Sequence, residues 1–235
     1  MPNLIFKKDH WLTSYGILSI IHLLARLFEF QRLGDYTKPF LMILLAGYFY
    51  RSTRQSFTPF AKLILAALLL SCWGDTFLIS DSEVNFMLGL GGFLIAQICY
   101  TIAFGTYKIR HPKPFLFLSL IFIGLLIWMD TYLWHWLAKN LRTPVVLYSI
   151  VITIMVIVVY QLKSQLPPIF FWRLFLGVCL FYLSDTMLAL NKFTPLHIPF
   201  VGFWVMLTYL LAQGLITWSS VRINQLLHQS SNQSL

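Results

Sequence analysis

Long apolar runs, each close to twenty residues and each ended by a short polar break, recur along all 235 residues. A bilayer core is about 30 Å thick, so a spanning helix needs about 20 mostly apolar residues. On this criterion the chain divides into spans near 11–29, 37–51, 59–79, 84–107, 114–134, 143–162, 168–190 and 199–218. Eight spans predict an all-α fold, a polytopic transmembrane helical bundle. Pro59, Pro114, Pro144, Pro168 and Pro199 are each read at the start of a span, where a missing N–H costs nothing and the fixed φ suits a first helical turn. The second span is the shortest, since Pro39 to Tyr50 covers only about 18 Å at about 1.5 Å per residue. It either tilts, runs on to Thr53, or is partly re-entrant.

Composition agrees with the periodic runs. Apolar residues make up 58%, aromatic residues 17% and charged residues only 11% of the chain, and the mean hydropathy is +0.74. These values exclude an ordinary soluble domain. Lys7 and Lys8 ahead of the first run resemble a signal peptide, but the run is long, carries Arg26 and Glu29, and lacks a small-residue cleavage site, so it reads as a retained helix. Cys72, Cys99 and Cys179 all fall inside spans, which argues against a disulfide framework.

Lysine and arginine positions set the orientation. With eight spans, eleven basic residues (Lys7, Lys8, Arg51, Arg54, Lys62, Lys108, Arg110, Lys113, Lys163, Arg173 and Arg222) fall on the side of both termini, against six opposite: Arg26, Arg32, Lys38, Lys139, Arg142 and Lys192. Both termini are therefore expected in the cytoplasm, in a bacterial inner membrane rather than the endoplasmic reticulum. The net charge of +9 reads as topology and attraction to anionic lipid, not as a nucleic-acid footprint. A phosphatase fused to the C-terminus is expected to be silent; activity outside the cytoplasm would overturn the orientation.

Two stretches, CWGDTFLIS (72–80) and FYLSDTMLA (181–189), set an aspartate and a threonine inside apolar runs. Asp75 follows Pro59 by 16 residues and Asp185 follows Pro168 by 17. Each carboxylate thus lies roughly 24 to 26 Å along its helix from the cytoplasmic end, at nearly one height. At an offset of 110 residues, Asp75, Thr76, Leu78, Gly92 and Phe93 fall on Asp185, Thr186, Leu188, Gly202 and Phe203. The repeat suggests a single membrane domain over 1–235 built from two parallel four-helix halves, 1–112 and 113–220, with a polar C-terminal tail at 221–235.

A carboxylate inside a span costs about 2.5 to 3.5 kcal/mol on insertion scales, so it faces the bundle interior or a wet cavity and marks function. Two at one depth can share the roles of acid and base. The plainer reading makes each a buried polar residue bonded to a neighbouring helix, or has the spans shorter and both aspartates at the membrane interface. Lys38 is placed to pair with an aspartate or a lipid phosphate, unless it snorkels. Asn191 and Lys192, ending the seventh span, either hold a headgroup or cap the helix. Tyr148, Tyr209, Gln97 and Ser184 are candidate partners for a carboxylate or a substrate oxygen, or packing residues. Asp130, within WMDTYLWHW, reads as part of an aromatic interface belt.

Other chemistries find little support. The chain has no G-x-S-x-G elbow, no H-E-x-x-H, no Walker loop and no dinucleotide loop, and the GLGG at 89–92 reads as a small-residue packing strip. A metal site from His22, His197 and an aspartate is conceivable; none is expected. No cofactor is called for.

KPF opening the second span, GDTFL in the third, GGFLIAQICY in the fourth and LSDTMLALNKF closing the seventh together resemble the YhhN family of membrane proteins, whose animal members are lysoplasmalogenases. The resemblance runs from about Lys38 to Gln213. Family members often carry histidine where this chain has Gln97, which puts in doubt a proton relay through the fourth span. The resemblance implies hydrolysis of the vinyl ether bond of a lysoplasmalogen, giving a fatty aldehyde and glycerophosphoethanolamine or glycerophosphocholine. The reading of Asp75 and Asp185 as a catalytic acid and anion fits that chemistry independently, and the resemblance implies a lysophospholipid in the bilayer as substrate. The competing readings are a proton-coupled transporter, which would favour helices broken at mid-membrane, and a non-catalytic lipid-binding membrane protein.

Overall fold

The computed structural model describes residues 10–80, 82–106 and 115–232. Lys7, Lys8, Lys108, Arg110, Lys113 and Pro114, used above for orientation and boundaries, lie outside the described residues. Within them the chain forms eight α-helices and two single 3₁₀ turns. The helices are α1 (His10–Leu27), α2 (Gln31–Thr53), α3 (Pro59–Phe77), α4 (Glu83–Gly105), α5 (Phe115–Trp134), α6 (Lys139–Gln161), α7 (Pro168–Phe193) and α8 (Val201–Asn232). Five of them (α3, α4, α6, α7 and α8) are long and apolar enough to cross a membrane by length and composition. The chain is a multi-pass membrane protein with an all-α bundle fold.

Local sequence explains the helix starts. Pro59 opens α3, with Thr58 accepting a hydrogen bond from the Ala61 amide at 3.2 Å; Pro168 opens α7; and Ser82 caps α4 through the Asn85 amide at 3.1 Å. Two prolines depart from the expectation. Pro39 lies inside α2 and Pro144 inside α6, because both helices begin several residues earlier than the apolar runs do. The added first turns, QRLGDYTK and KNLRT, are polar, so hydropathy alone does not reveal them. The second helix is consequently 23 residues long rather than short. The segment read as a polar tail continues α8 as far as Asn232, where Val221, Ile223 and Asn224 are buried. Asn224 is held there by donating to the Ser56 carbonyl at 2.8 Å.

The tightest packing is between α3 and α4 and between α7 and α8. In the first seam a Cβ on Gly92 would come within 3.2 Å of the Gly74 amide nitrogen and the Leu70 carbonyl, so glycine is what lets the two backbones approach. In the second, Gly177 stands in the same relation to the Ala212 carbonyl, also at 3.2 Å. An Arg26–Asp35 ion pair of 3.0 Å ties α1 to α2. Outward-facing Ile17, Ile20, Phe40, Ile102 and Leu176 are exposed, as expected where hydrocarbon is the solvent. The helix α5 packs chiefly on α6, and its C-terminal half stands at the edge of a cavity lined by α2, α3, α4, α6, α7 and α8.

Candidate functional site

The cavity holds about 330 Å³ and is walled mostly by apolar side chains, among them Leu78, Leu90, Met129, Leu133 and Ile152. Its polar groups come from separate helices. Asp75 and Asp185, one from α3 and one from α7, both line it. The helical register decides this: Ser71 and Asp75, four residues apart, lie on the buried face of α3, and Phe181, Ser184 and Asp185 on the inner face of α7.

The two carboxylates have different surroundings. Asp75 is 2% exposed and meets the Lys38 ammonium at 3.5 Å, while the Tyr209 hydroxyl donates to its other oxygen at 2.8 Å. Tyr209 is fixed in turn. Its ring meets Phe93 and Phe181 edge to face, and its hydroxyl lies 3.4 Å from the Gln213 amide nitrogen one helical turn on. Gln213 also donates to Ser71 at 3.1 Å and accepts from Tyr100 at 2.8 Å, so a chain of buried polar groups runs behind Asp75 through α8 to α3 and α4. Asp185 is half-buried, and the Tyr148 hydroxyl of α6 donates to one of its oxygens. Among the described residues no cation lies within ion-pair distance of Asp185.

The remaining candidates divide. Lys38, Tyr148, Ser184, Asn191, Lys192 and Tyr209 all line the cavity with the aspartates. Ser184 spends its hydroxyl on the Val205 carbonyl at 3.0 Å, a contact that holds α7 to α8. Lys192 stands at the end of α7 with its ammonium 4.9 Å above the Phe86 ring. Gln97 is not on the cavity wall; it is buried in α4 beside Tyr148, one layer behind. His22 donates to or accepts from Thr37 at 2.8 Å within the α1–α2 contact, whereas His197 is exposed in the segment between α7 and α8. Among the described residues no three His, Cys, Asp or Glu side chains converge as a ligand set.

Asp130 departs from the interface-belt reading. Trp128 and Trp134 point outward, but Met129 and Leu133 are buried, and Asp130 shares their inner side and lines the cavity. The aromatic density of WMDTYLWHW masked a one-sided helix in which 129, 130 and 133 face inward. Ser149, Gln213 and Tyr100 were also not singled out. Gln213 was detectable as a polar residue four positions after Tyr209 in an apolar run.

Comparison with known proteins adds an independent line. The model of the YhhN family matches residues 34–220, most of the chain. Proteins named lysoplasmalogenase from Mycobacterium bovis and Mycobacterium tuberculosis are each 33% identical over 139 residues, which is 55% of this chain and 49% of theirs. The chain thus spans about half the length of the curated relatives it matches. No solved structure matches it.

Proposed function

The chain belongs to the YhhN family, and we propose that it is a lysoplasmalogenase-like hydrolase that cleaves the vinyl ether bond of a lysophospholipid within the membrane. The observation that carries the reading is the pair of unlike carboxylates on one apolar-walled cavity, Asp75 with a cation against it and Asp185 with only a phenol. The name of the mycobacterial relatives points to the same substrate class.

The two environments divide the labour. Lys38 and Tyr209 both favour a charged Asp75, so Asp75 is the carboxylate. Asp185, with no cation among the described residues to support a charge in an apolar wall, is the group that carries a proton. The reaction then runs in three moves. Asp185 gives its proton to the vinyl carbon remote from oxygen, leaving an oxocarbenium ion on the carbon next to oxygen. The Asp75 carboxylate stabilises that cation while water attacks it, and the water's proton returns to the carboxylate pair. The hemiacetal passes its hydroxyl proton to the bridging oxygen and parts into fatty aldehyde and the glycerol alcohol, so that one water is consumed and the acid is regenerated. Asn191 and Lys192, at the end of α7, are placed to receive the phosphate, and the alkenyl chain lies along the aliphatic wall.

Release of fatty aldehyde from a lysoplasmalogen by the purified protein tests the reading directly. The saturated alkyl-ether analogue is expected to bind and never turn over, because only an electron-rich double bond gives a stabilised cation on protonation. Binding energy common to both ligands contributes nothing to the chemical step, so the analogue should inhibit competitively. Ester lysolipids cleaved at a comparable rate would count against the mechanism, since ester hydrolysis calls for an oxyanion site.

A further inference from the structure

Apart from the Lys38–Asp75 pair and Asp185, assigned above as the proton carrier, the cavity wall carries two ionic groups that have no ion-pair partner among the described residues. Among the described residues the hydrogen-bond partner of Asp130, from α5, is Ser149, whose Oγ lies 2.9 Å from each of its oxygens and from the Val146 carbonyl. One hydroxyl proton satisfies one of those oxygens at a time. Among the described residues no cation comes within ion-pair distance of Asp130, and no carboxylate within that distance of Lys192. Lys192 rests against a ring face and keeps its N–H donors for something else.

Both groups stand toward the same end of the bundle. Asp130 is four residues before the end of α5 and Lys192 one before the end of α7, and the two helices run in the same direction through the alternation of spans. An anion and a cation, each lacking a partner, on one wall are complementary to a zwitterion. We propose that Asp130 is a specificity residue that binds the terminal amine of a phosphoethanolamine headgroup whose phosphate lies on Lys192. This rests on the lysophospholipid reading above and adds which headgroup is preferred.

Selectivity for a primary amine follows from the surroundings of Asp130. An alkylammonium brings three N–H donors, which the unfilled carboxylate oxygen and the Ser149 oxygen can accept. A trimethylammonium brings none and is recognised instead by open aromatic faces. Trp134, which shares a shallow hollow with Asp130, has the Arg142 guanidinium over one face of its ring at 4.6 Å, and Phe86 on the cavity wall has the Lys192 ammonium over its ring at 4.9 Å.

The test uses saturated alkyl-ether lysolipids, which bind without reacting, and the full-length protein in lipid nanodiscs. Across analogues carrying an ethanolamine, N-methyl, N,N-dimethyl and choline headgroup, the wild-type Kd is expected to rise stepwise, by about tenfold from first to last. Asp130→Asn should flatten that series by weakening the ethanolamine analogue alone. With alkenyl substrates the same variant should raise KM for the ethanolamine lipid about tenfold and bring the two headgroups to near equality. A flat series in the wild type overturns the proposal without needing a folded variant, and so does an equal proportional loss on both headgroups in Asp130→Asn. Because the binding series involves no turnover, a graded series with no aldehyde released from any lipid would keep the amine site and reject the hydrolase reading. Aldehyde release with a flat series would do the reverse.

Discussion

Asp185→Asn is expected to lower kcat for lysoplasmalogen cleavage by about a thousandfold while the saturated ether analogue still binds. Asparagine keeps the volume of the side chain and can still accept from Tyr148, so the cavity retains its shape and its aliphatic wall. What it lacks is a proton it can give to carbon. General acid catalysis contributes about 10² to 10⁴ in rate, and protonation of the vinyl carbon is the step on which every later move depends. The loss should therefore fall on kcat and leave the affinity for the unreactive ether within about threefold of wild type. The measurement is aldehyde release at saturating substrate, with analogue binding on the same preparation. A variant that retains a tenth or more of wild-type kcat would remove Asp185 from the acid's place.

Lys38→Met should destabilise the protein more than the pair Lys38→Met with Asp75→Asn does. Lys38 is nearly buried and its ammonium is the one cation within ion-pair distance of Asp75 among the described residues. Breaking a buried ion pair from one side leaves an uncompensated charge and costs about 3 to 5 kcal/mol, whereas removing both charges is far cheaper. The second substitution should consequently restore much of what the first takes away. Thermal unfolding of the detergent-solubilised variants reads this as a lower Tm for the single variant than for the double. Additive losses would mean that the two side chains do not act as a pair. Both variants should be inactive, so stability here is separable from catalysis.

Helix number and order were legible because an apolar run of bilayer length has few alternatives, and Asp75 and Asp185 stood out because carboxylates are rare in such runs. The starts of α2 and α6 were not legible: their first turns are polar, and a hydropathy reading begins the helix where the polarity ends, which put Pro39 and Pro144 at the wrong places. Lys38 was found with its reason uncertain between a carboxylate and a lipid phosphate, since sequence spacing cannot tell which of two neighbouring helices a long side chain will face. Asp130 was missed for the opposite reason. Its neighbours Trp128, Tyr132 and Trp134 resembled an interface belt, and the belt belongs only to the outer face of a helix whose inner face lines the cavity. Gln97 shows the limit of reading function from type: a buried amide in the fourth helix stands one layer behind the wall, off the surface that a substrate would meet.

The cavity also bears on how this protein is to be handled. A hollow with an aliphatic wall and a charged end accepts a single-chain amphiphile, and detergents are single-chain amphiphiles present at millimolar concentration. An ionic or zwitterionic detergent should compete for the cavity as the saturated ether does, so an apparent KM measured in micelles reports the detergent as much as the lipid. Detergents with bulky sugar heads, or none at all in a nanodisc, leave the charged end to the substrate.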